Sequence, residues 1–198
     1  MKDHFKDKAE IWDAGEMQVK GAKKIADAIT KEIKLTNNME LLDFGVGTGL
    51  LGFDIAKNVK KVYGVDTSPK MIEKLQEKNT SSLYIETYTQ DIVLDPLDRT
   101  FDGVISSMTL HHVENLKLFF ETIYKNINSG GFIAIADLET EDGTFHSDNT
   151  GVFHFGFDKV GLVNIAKDAG FFNIKFENIN TINKPDRDFG VFLLTAQR

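Results

Sequence analysis

Three alternating glycines, Gly45, Gly47 and Gly49, follow directly on an apolar segment that contains one acidic residue. Glycine lacks a Cβ atom and adopts positive φ angles at little steric cost, so the backbone of such a turn can come close to a ligand. An apolar strand that ends in this turn and leads into a helix predicts an α/β unit with a site for a nucleotide-like ligand at the turn.

Two ligand classes fit this turn. The three glycines of the dinucleotide-binding fingerprint are present at Gly47, Gly49 and Gly52. The acidic residue that completes the fingerprint, Asp66, follows about 20 residues later. Asp43 favours the other class, because a carboxylate just before the glycines repels a diphosphate and suits a ligand with a cationic end.

The chain resembles the class I S-adenosylmethionine-dependent methyltransferases in several separate segments. Residues 43–49 are similar to the first motif of that family, and residues 62–72 to the motif of its second strand. Further similarity lies at residues 89–92, 101–112 and 128–137. The resemblance spans residues 41–138 and extends more loosely over the whole chain, and it is to methyltransferases of the small-molecule type.

The resemblance implies an α/β fold with a Rossmann-like, doubly wound sheet of seven strands in the order 3-2-1-4-5-7-6, the last strand antiparallel. The sequence agrees, since short β-rich runs alternate with amphipathic segments. Strands are predicted near residues 39–44, 61–65, 83–88, 102–106, 131–137, 172–176 and 189–196. Helices are predicted near residues 3–12, 15–34, 49–58, 69–79, 114–127 and 158–169. Only a turn joins the last two strands, which predicts an antiparallel pair.

The length of 198 residues predicts a single domain over residues 1–198. Residues 1–34 are expected to form N-terminal lid helices, and residues 139–157 an insertion on the side of the methyl acceptor. No apolar run approaches the roughly 20 residues of a membrane span, and no signal segment opens the chain. We therefore expect a cytoplasmic enzyme with no membrane partner.

The composition favours a small-molecule acceptor. The net charge of −7, from 23 basic and 30 acidic residues, argues against a nucleic-acid partner, because such proteins usually carry a basic stripe that neutralises phosphates. The absence of cysteine excludes disulfides, thiolate metal sites and a cysteine nucleophile. Residues 106–109 also lack the Asn/Asp-Pro-Pro-aromatic signature of methyltransferases that act on planar amino groups. The sequence predicts no particular oligomeric state.

The resemblance implies that S-adenosyl-L-methionine binds at the C-terminal edge of the sheet, with S-adenosyl-L-homocysteine as the product. Asp66 ends an apolar strand, and its carboxylate can accept hydrogen bonds from two ribose hydroxyls. Alternatively, Asp66 caps the next helix, although Ser68, with Pro69 in the first helical position, is the better cap. The residues expected to bind the cofactor are Asp43, Gly45, Gly47, Gly49, Asp66, Thr67, Met71, Asp91, Ile92, Ser106, Ser107 and Trp12.

Two pairs among these residues have specific expected roles. Asp91 is expected to accept a hydrogen bond from the adenine amino group, while Ile92 offers its backbone N–H and apolar surface to the ring. The alternative for Asp91 is a solvated acid in a loop. Ser106 and Ser107 are expected to direct their backbone carbonyls toward the ammonium group of the cofactor.

Phe5 and Trp12 resemble the aromatic lid helix of small-molecule methyltransferases. Such a lid would exclude water from around the sulfonium. The alternative is that Trp12 packs in the core, as a single tryptophan more often does.

His112, which with His111 follows the fourth strand, and His154 are the candidate general bases. A histidine pKa near 6.5 suits proton removal from a hydroxyl or protonated amine, and the unusually long segment 139–157 is rich in aromatic residues that could line an acceptor site. The alternative is that both histidines and these aromatic residues serve as scaffold. No metal site is predicted, because neighbouring histidines point apart on most backbones and no carboxylates stand at ligand spacing.

A second function remains compatible with the same residues. A domain that binds S-adenosylmethionine or its product without catalysing transfer, as a sensor or a partner subunit, would keep both the glycine turn and Asp66. Turnover with small acceptors distinguishes the enzyme from the sensor.

Overall fold

The computed structural model describes residues 6 and 8–198. Phe5 lies outside these residues, as does much of the helix expected at residues 3–12. The part of that helix that the structure describes is a 3-10 helix at Ala9–Ala14, which ends at Gly15.

A seven-stranded sheet runs through the described chain in the order β3-β2-β1-β4-β5-β7-β6, which confirms the predicted order. Its strands are β1 (Glu40–Phe44), β2 (Lys61–Asp66), β3 (Ile85–Thr89), β4 (Phe101–Ser107), β5 (Ile127–Leu138), β6 (Phe172–Lys184) and β7 (Arg187–Gln197). The first five strands pair in parallel, whereas β7 is antiparallel to both β5 and β6. The last strand is therefore antiparallel, as expected.

Five α-helices connect these strands or precede them: α1 (Glu16–Glu32), α2 (Leu50–Ile55), α3 (Pro69–Lys78), α4 (Leu116–Lys125) and α5 (Lys159–Asp168). Ser68, Asn115 and Asp158 cap three of them, since each side chain accepts a backbone N–H of the first turn. Short 3-10 helices follow α2 and β4, at Ala56–Asn58 and Leu110–His112. No helix among the described residues is long and apolar enough to span a membrane.

The sheet is covered by helices on both faces. The apolar residues of α1, α2 and α3 pack on one face, and those of α4 and α5 on the other. Strand residues alternate between the two clusters, as at Val104 and Ile105. This layering places every loop that follows a parallel strand at the C-terminal edge of the sheet.

Helix α1 belongs to a covering layer of the sheet. Its Ile25 and Ile29 are 2% and 0% exposed and pack with residues of the strands and of α2 and α3. Within the expected lid region, residues 1–34, the described part that reaches the glycine turn is Ala9–Ala14. The lid role therefore stays a prediction for that segment.

Strands β5 and β6 are longer than the sequence indicated. β6 runs over 13 residues to Lys184, although apolar alternation is present only at residues 172–176. Its extension is largely polar and only partly buried, with Ile179 and Ile182 packed against the core, and its register with β7 holds it in the sheet. Pairing between strands, rather than local propensity, sets this length.

Candidate functional site

The glycine turn lies where the sheet reverses its winding direction. β1 pairs in parallel with β2 on one side and with β4 on the other. Open α/β sheets bind ligands in the crevice outside the carboxyl ends of the strands at such a switch point. The turn after β1 therefore occupies the position expected of a ligand site.

The three glycines of the turn all have left-handed backbone angles, with φ of +69° at Gly45, +53° at Gly47 and +85° at Gly49. A Cβ atom on Gly45 would lie 2.1 Å from the side chain of Thr109, so packing against the turn after β4 requires this glycine. A Cβ atom on Gly47 would meet no described atom within 4 Å. Gly47 thus presents bare backbone to open space.

The carboxylate of Asp66, at the end of β2, connects two turns. Its Oδ2 accepts a hydrogen bond from the Gly47 N–H and its Oδ1 one from the Ser68 N–H, both at 2.8 Å. Each carboxylate oxygen has a further lone pair, so Asp66 can also accept from hydroxyl groups of a ligand. Ser68 in turn caps α3 by accepting from the Met71 N–H at 3.2 Å, with Pro69 as the first helical residue, which confirms the predicted cap.

Thr67 and Met71 lie on either side of this cap. Thr67 is exposed at the edge of the sheet, whereas Met71 is 2% exposed and packs beneath α3. Of the two, Thr67 is the one whose side chain can meet a ligand from solvent.

Asp43 lies inside the packing between β1 and α2. It is 1% exposed, and its Oδ2 has no hydrogen-bond partner among the described residues. A Cβ atom on Gly52 would lie 2.8 Å from that oxygen, so the carboxyl group packs directly on α2. Burial, and secondarily the Asp66 carboxylate, raise the pKa of Asp43 well above its usual value. A cation brought close to the turn would favour the ionised form.

Asp91 and Ile92 begin the turn after β3. The Oδ1 of Asp91 accepts from the Val93 N–H at 3.0 Å, and the Gln90 N–H donates to the carbonyl of Asp66 at 3.1 Å. Asp91 is therefore half-buried beside the Asp66 turn, whereas Ile92 is fully buried in the core. The adenine contacts of both residues stay predictions.

Ser106 and Ser107 end β4 beside the glycine turn. Ser106 is fully buried and its Oγ donates to the carbonyl of Phe44 at 2.8 Å. The hydroxyl of Thr109 lies 3.1 Å from the carbonyl of Ser107 and 3.3 Å from that of Gly45. These bonds join the end of β4 to the turn after β1, and the ammonium contact of the two serine carbonyls stays a prediction.

The segment Ala9–Ala14 is bonded to the glycine turn through Asp13. One oxygen of Asp13 accepts from the hydroxyl of Thr48 at 2.5 Å, and the other pairs with Lys78 of α3 at 2.6 Å. Thr48 is 2% exposed, so its hydroxyl depends on this partner. Trp12 is half-buried in the same segment.

His111 and Asp137 form a buried pair at the ends of β4 and β5. The ring Nδ1 of His111 lies 2.8 Å from Oδ1 of Asp137, and its backbone N–H donates to Oδ2 at 3.1 Å. The Leu138 N–H donates to the same carboxylate at 2.7 Å. Burial acts to raise the pKa of Asp137, but the His111 ring and these N–H groups outweigh it and hold the pKa below its usual value. The carboxylate is therefore ionised and fixes the ring of His111.

Two further imidazoles lie against this pair, and we call His111, His112 and His146 the histidine cluster. The ring centroids of His112 and His146 lie 4.1 Å and 4.9 Å from that of His111. Burial, and then the neighbouring His111 ring, lower the pKa of His112 and of His146 to about 4. Both rings are neutral at pH 7.

The two histidines expected as bases both contact backbone carbonyls. The Nδ1 of His112 lies 2.7 Å from the carbonyl of Gly151, and the Nε2 of His154 lies 2.9 Å from that of Val113. A carbonyl only accepts, so each of these nitrogens carries a hydrogen and donates. The histidines thereby hold the segment 139–157 to the turn after β4, and a base role for either stays a prediction.

The segment 139–157 is also held against the β6–β7 hairpin. Lys184 donates to the carbonyl of Phe145, and its Nζ lies 4.1 Å from the centroid of the Phe145 ring. The ring of Phe145 packs edge-on against Phe189, with centroids 5.2 Å apart. These contacts place the next residue, His146, beside the buried pair of β4 and β5.

The site contains residues that sequence reasoning did not select. Thr48, Asp13 and Asp137 are these residues, and each makes a central polar contact of the site. Asp137 carried a usable signal, because it follows the apolar residues 132–136 near the end of β5, much as Asp66 follows the apolar part of β2. Within residues 6 and 8–198, no group of three or more His, Cys, Asp or Glu side chains is arranged to hold a metal ion.

Residues 42–135 match the model of a protein family described as a methyltransferase domain. The chain is 28% identical over 171 residues to an uncharacterized methyltransferase of Schizosaccharomyces pombe, a match that covers 73% of this chain and 60% of that protein. It is 34% identical over 107 residues to demethylmenaquinone methyltransferase of Porphyromonas gingivalis, covering 50% of this chain and 43% of that protein. The chain thus spans less than two thirds of the length of either relative.

A solved structure supports the same fold. Phosphoethanolamine N-methyltransferase 2 of Haemonchus contortus, in complex with S-adenosyl-L-methionine, is similar over 98% of this chain and 60% of its own, with a TM-score of 0.70. The two sequences are 17% identical, so the likeness concerns the fold alone.

Proposed function

We propose that this chain, which belongs to the class I S-adenosylmethionine-dependent methyltransferases, binds S-adenosylmethionine at the glycine turn and transfers its methyl group to a small-molecule acceptor. One observation carries the proposal. Gly47 presents bare backbone to open space, and the carboxylate that ends the neighbouring strand, Asp66, is bonded to it.

The residues at the turn fit this cofactor. Asp66 has lone pairs for the two ribose hydroxyls, and the absent side chain of Gly47 lets a ligand approach the backbone. Asp43 is a buried carboxyl group with an unpartnered oxygen among the described residues, and it suits the cationic end of the ligand. When bound, the cofactor supplies an electrophilic methyl group on a sulfonium.

The contribution of the protein is mainly positioning. Methyl transfer requires sulfur, methyl carbon and nucleophile in line, so holding the two reactants in that geometry supplies much of the rate. The segment Ala9–Ala14, bonded through Asp13 to Thr48, would close over the turn and exclude water. Thr109, bonded to the carbonyls of Gly45 and Ser107, fixes the turn on the acceptor side.

A small acceptor is supported by the segment 139–157 and by one relative. That segment lies at the C-terminal edge of the sheet, contributes His146 to the histidine cluster and brings Phe145 next to it. Demethylmenaquinone methyltransferase of Porphyromonas gingivalis is named for a small-molecule acceptor. Together these observations favour an acceptor that enters beside His111 over a macromolecule.

Transfer of an isotopically labelled methyl group from S-adenosylmethionine to a panel of small hydroxyl, amino, thiol and carbon-acid compounds tests the proposal. We expect label in at least one acceptor and S-adenosylhomocysteine in equal amount. Binding of S-adenosylhomocysteine without any labelled product would favour the sensor. Failure to bind either compound would contradict the cofactor site itself.

A further inference from the structure

The buried pair His111 and Asp137 contains one nitrogen that makes no hydrogen bond to the described residues. The Nδ1 of His111 carries a hydrogen, because it faces an ionised carboxylate that can only accept. The opposite nitrogen, Nε2, is therefore the one that can offer a lone pair. It is buried and has no hydrogen-bond partner among the described residues.

A second unpartnered nitrogen lies close to the first. The Nδ1 of His146 is also buried and without a hydrogen-bond partner in the described chain. The rings of His146 and His111 are 4.9 Å apart between centroids. Buried polar atoms nearly always have partners, so two such nitrogens in one place point to a ligand group that the site is built to receive.

The burial of the cluster selects the kind of ligand group. Burial is the first cause of the low pKa of His112 and of His146, whereas the charges around them act in both directions, since Asp137 raises both pKa values and the lysines Lys8 and Lys184 lower them. The negative charge of Asp137 already faces three N–H donors. Because burial penalises any charged group, the cluster disfavours an ammonium and favours a neutral group with a proton to donate.

The side chains beside the cluster are aromatic. Phe145 packs edge-on against His146 at 4.8 Å between centroids. Phe153, whose N–H donates to the carbonyl of His111, is 52% exposed. A flat, apolar ring would cover surface that these side chains leave open.

We propose that the histidine cluster is the acceptor site for a neutral phenolic hydroxyl, with His111 as the catalytic base and Asp137 as its positioning residue. This inference rests on the proposed methyltransferase function and goes further by naming the acceptor class. His146 is the second polar contact of the hydroxyl.

In the proposed step, the methyl group moves from sulfur to the phenol oxygen and the hydroxyl proton moves to His111. The phenol oxygen forms a bond to the methyl carbon, the sulfur–carbon bond breaks with its electron pair remaining on sulfur, and the hydroxyl proton passes to Nε2 of His111. Asp137 stabilises the imidazolium that results, as a carboxylate behind a histidine does. The products are an aryl methyl ether and S-adenosylhomocysteine, and the proton leaves to solvent.

Access to Nε2 depends on the segment 139–157. His111 is 2% exposed, and the backbone of Phe153 and His154 lies directly on its carbonyl. The acceptor therefore enters when this segment shifts, and its return closes the cluster around the hydroxyl.

The binding test uses protein with nitrogen-15 in its histidine rings, saturated with S-adenosylhomocysteine. We expect phenol to shift the Nε2 resonance of His111 and the Nδ1 resonance of His146. Toluene, which has no hydroxyl, and benzylammonium, which carries a charge, are the control ligands. We expect neither of them to shift the two resonances. His111→Gln abolishes the response to phenol and keeps the affinity for S-adenosylhomocysteine within about twofold of the wild type.

The turnover test uses labelled S-adenosylmethionine with phenol and catechol. His111→Gln lowers kcat by about 10²- to 10⁴-fold, the usual contribution of a general base. Asp137→Asn lowers kcat and changes its pH profile, because the amide can donate to Nδ1 and reverse the ring tautomer. Lys117→Gln, on the exposed face of α4, is the control variant and keeps the wild-type rate.

Each result supports or overturns a separate statement. Wild-type protein that does not bind S-adenosylhomocysteine overturns the proposed function, not this inference alone. Binding of that compound with no histidine shift on addition of phenol overturns the acceptor site. A product methylated on carbon, no labelled ether despite phenol binding, or full activity of His111→Gln overturns the base role.

Discussion

The carboxylate of Asp66 accepts a 2.8 Å hydrogen bond from the backbone N–H of Gly47, a residue 19 positions earlier in the chain. The same carboxylate accepts from the Ser68 N–H, at the start of α3. One side chain thus fixes the turns after β1 and β2 relative to each other. A ligand that lies across both turns meets a preorganised surface, which reduces the entropy lost on binding.

Replacing Asp66 with alanine tests this relationship. We expect Asp66→Ala to weaken the binding of S-adenosylhomocysteine by about 1.5 to 3 kcal/mol, because the hydrogen bonds to two ribose hydroxyls are lost. Isothermal titration calorimetry measures the change. Asp98→Ala, in the exposed loop before β4, is the control and leaves the affinity unchanged. An Asp66→Ala protein that is folded and binds like the wild type would refute the ribose contact.

A matched pair of glycine variants separates the effect of backbone strain on stability from the effect of a side chain on ligand binding. Gly47 and Gly130 both have positive φ, +53° and +81°, and a Cβ atom on either meets no described atom within 4 Å. Alanine at each position should lower the free energy of unfolding by about 1–2 kcal/mol through backbone strain alone.

Only Gly47→Ala should also weaken the binding of S-adenosylhomocysteine, by about tenfold or more, because the methyl group of the alanine occupies the path of the ligand. Urea denaturation and calorimetry give the two quantities. Equal effects of both variants on ligand affinity would mean that Gly47 does not contact the cofactor.

The contact between Asp13 and Thr48 predicts that the segment Ala9–Ala14 is a lid held by a hydrogen bond and an ion pair. Asp13→Ala removes the acceptor of the Thr48 hydroxyl and the partner of Lys78. We expect faster amide hydrogen exchange in Ala9–Ala14 and dissociation of S-adenosylhomocysteine faster by several-fold to about tenfold. Stopped-flow fluorescence of the single tryptophan, Trp12, reports the dissociation.

Glu16→Ala is the control for this lid. It breaks the ion pair with Lys20 on the exposed surface of α1, which contributes little to stability. Dissociation rates that are equal for the Asp13 and Glu16 variants would show that Ala9–Ala14 does not retain the ligand.

The low pKa of His146 predicts a loss of stability in acid. Burial lowers this pKa to about 4 in the folded chain from the ordinary 6.5, so the unfolded chain takes up the proton first as pH falls. The free energy of unfolding should therefore decline between about pH 6.5 and 4, by on the order of 1 kcal/mol for this half-buried ring.

Urea denaturation of wild type and His146→Asn at pH 8 and pH 5 isolates this contribution, since other titrating groups cancel in the difference. The two proteins should differ less at pH 5 than at pH 8, because only the wild type loses stability through this ring. A difference that does not change with pH would contradict a buried, neutral His146.

The features predicted correctly from the sequence rest on local chemistry. The strand order follows from the resemblance and from the alternation of strand and helix patterns, and the glycines mark backbone that only glycine adopts readily. Ser68 and Pro69 identify the start of α3 through their own bonding. Each of these signals is complete within a few residues.

The features that were missed join distant parts of the chain. Asp137 meets His111 across 26 residues, and Asp13 meets Thr48 across 35. No periodicity encodes such a pair, because it depends on which loops the sheet brings together. For the same reason the sequence could not distinguish His111 from its neighbour His112, whereas in the fold the buried carboxylate of Asp137 pairs with His111.

The central claim is that the glycine turn binds an adenosyl cofactor and not a dinucleotide. Isothermal titration calorimetry of the wild-type protein with S-adenosylhomocysteine and with NAD, in one buffer, tests it most directly. We expect saturable heat with S-adenosylhomocysteine and none with NAD. Saturable binding of NAD, with no heat from S-adenosylhomocysteine, would contradict it.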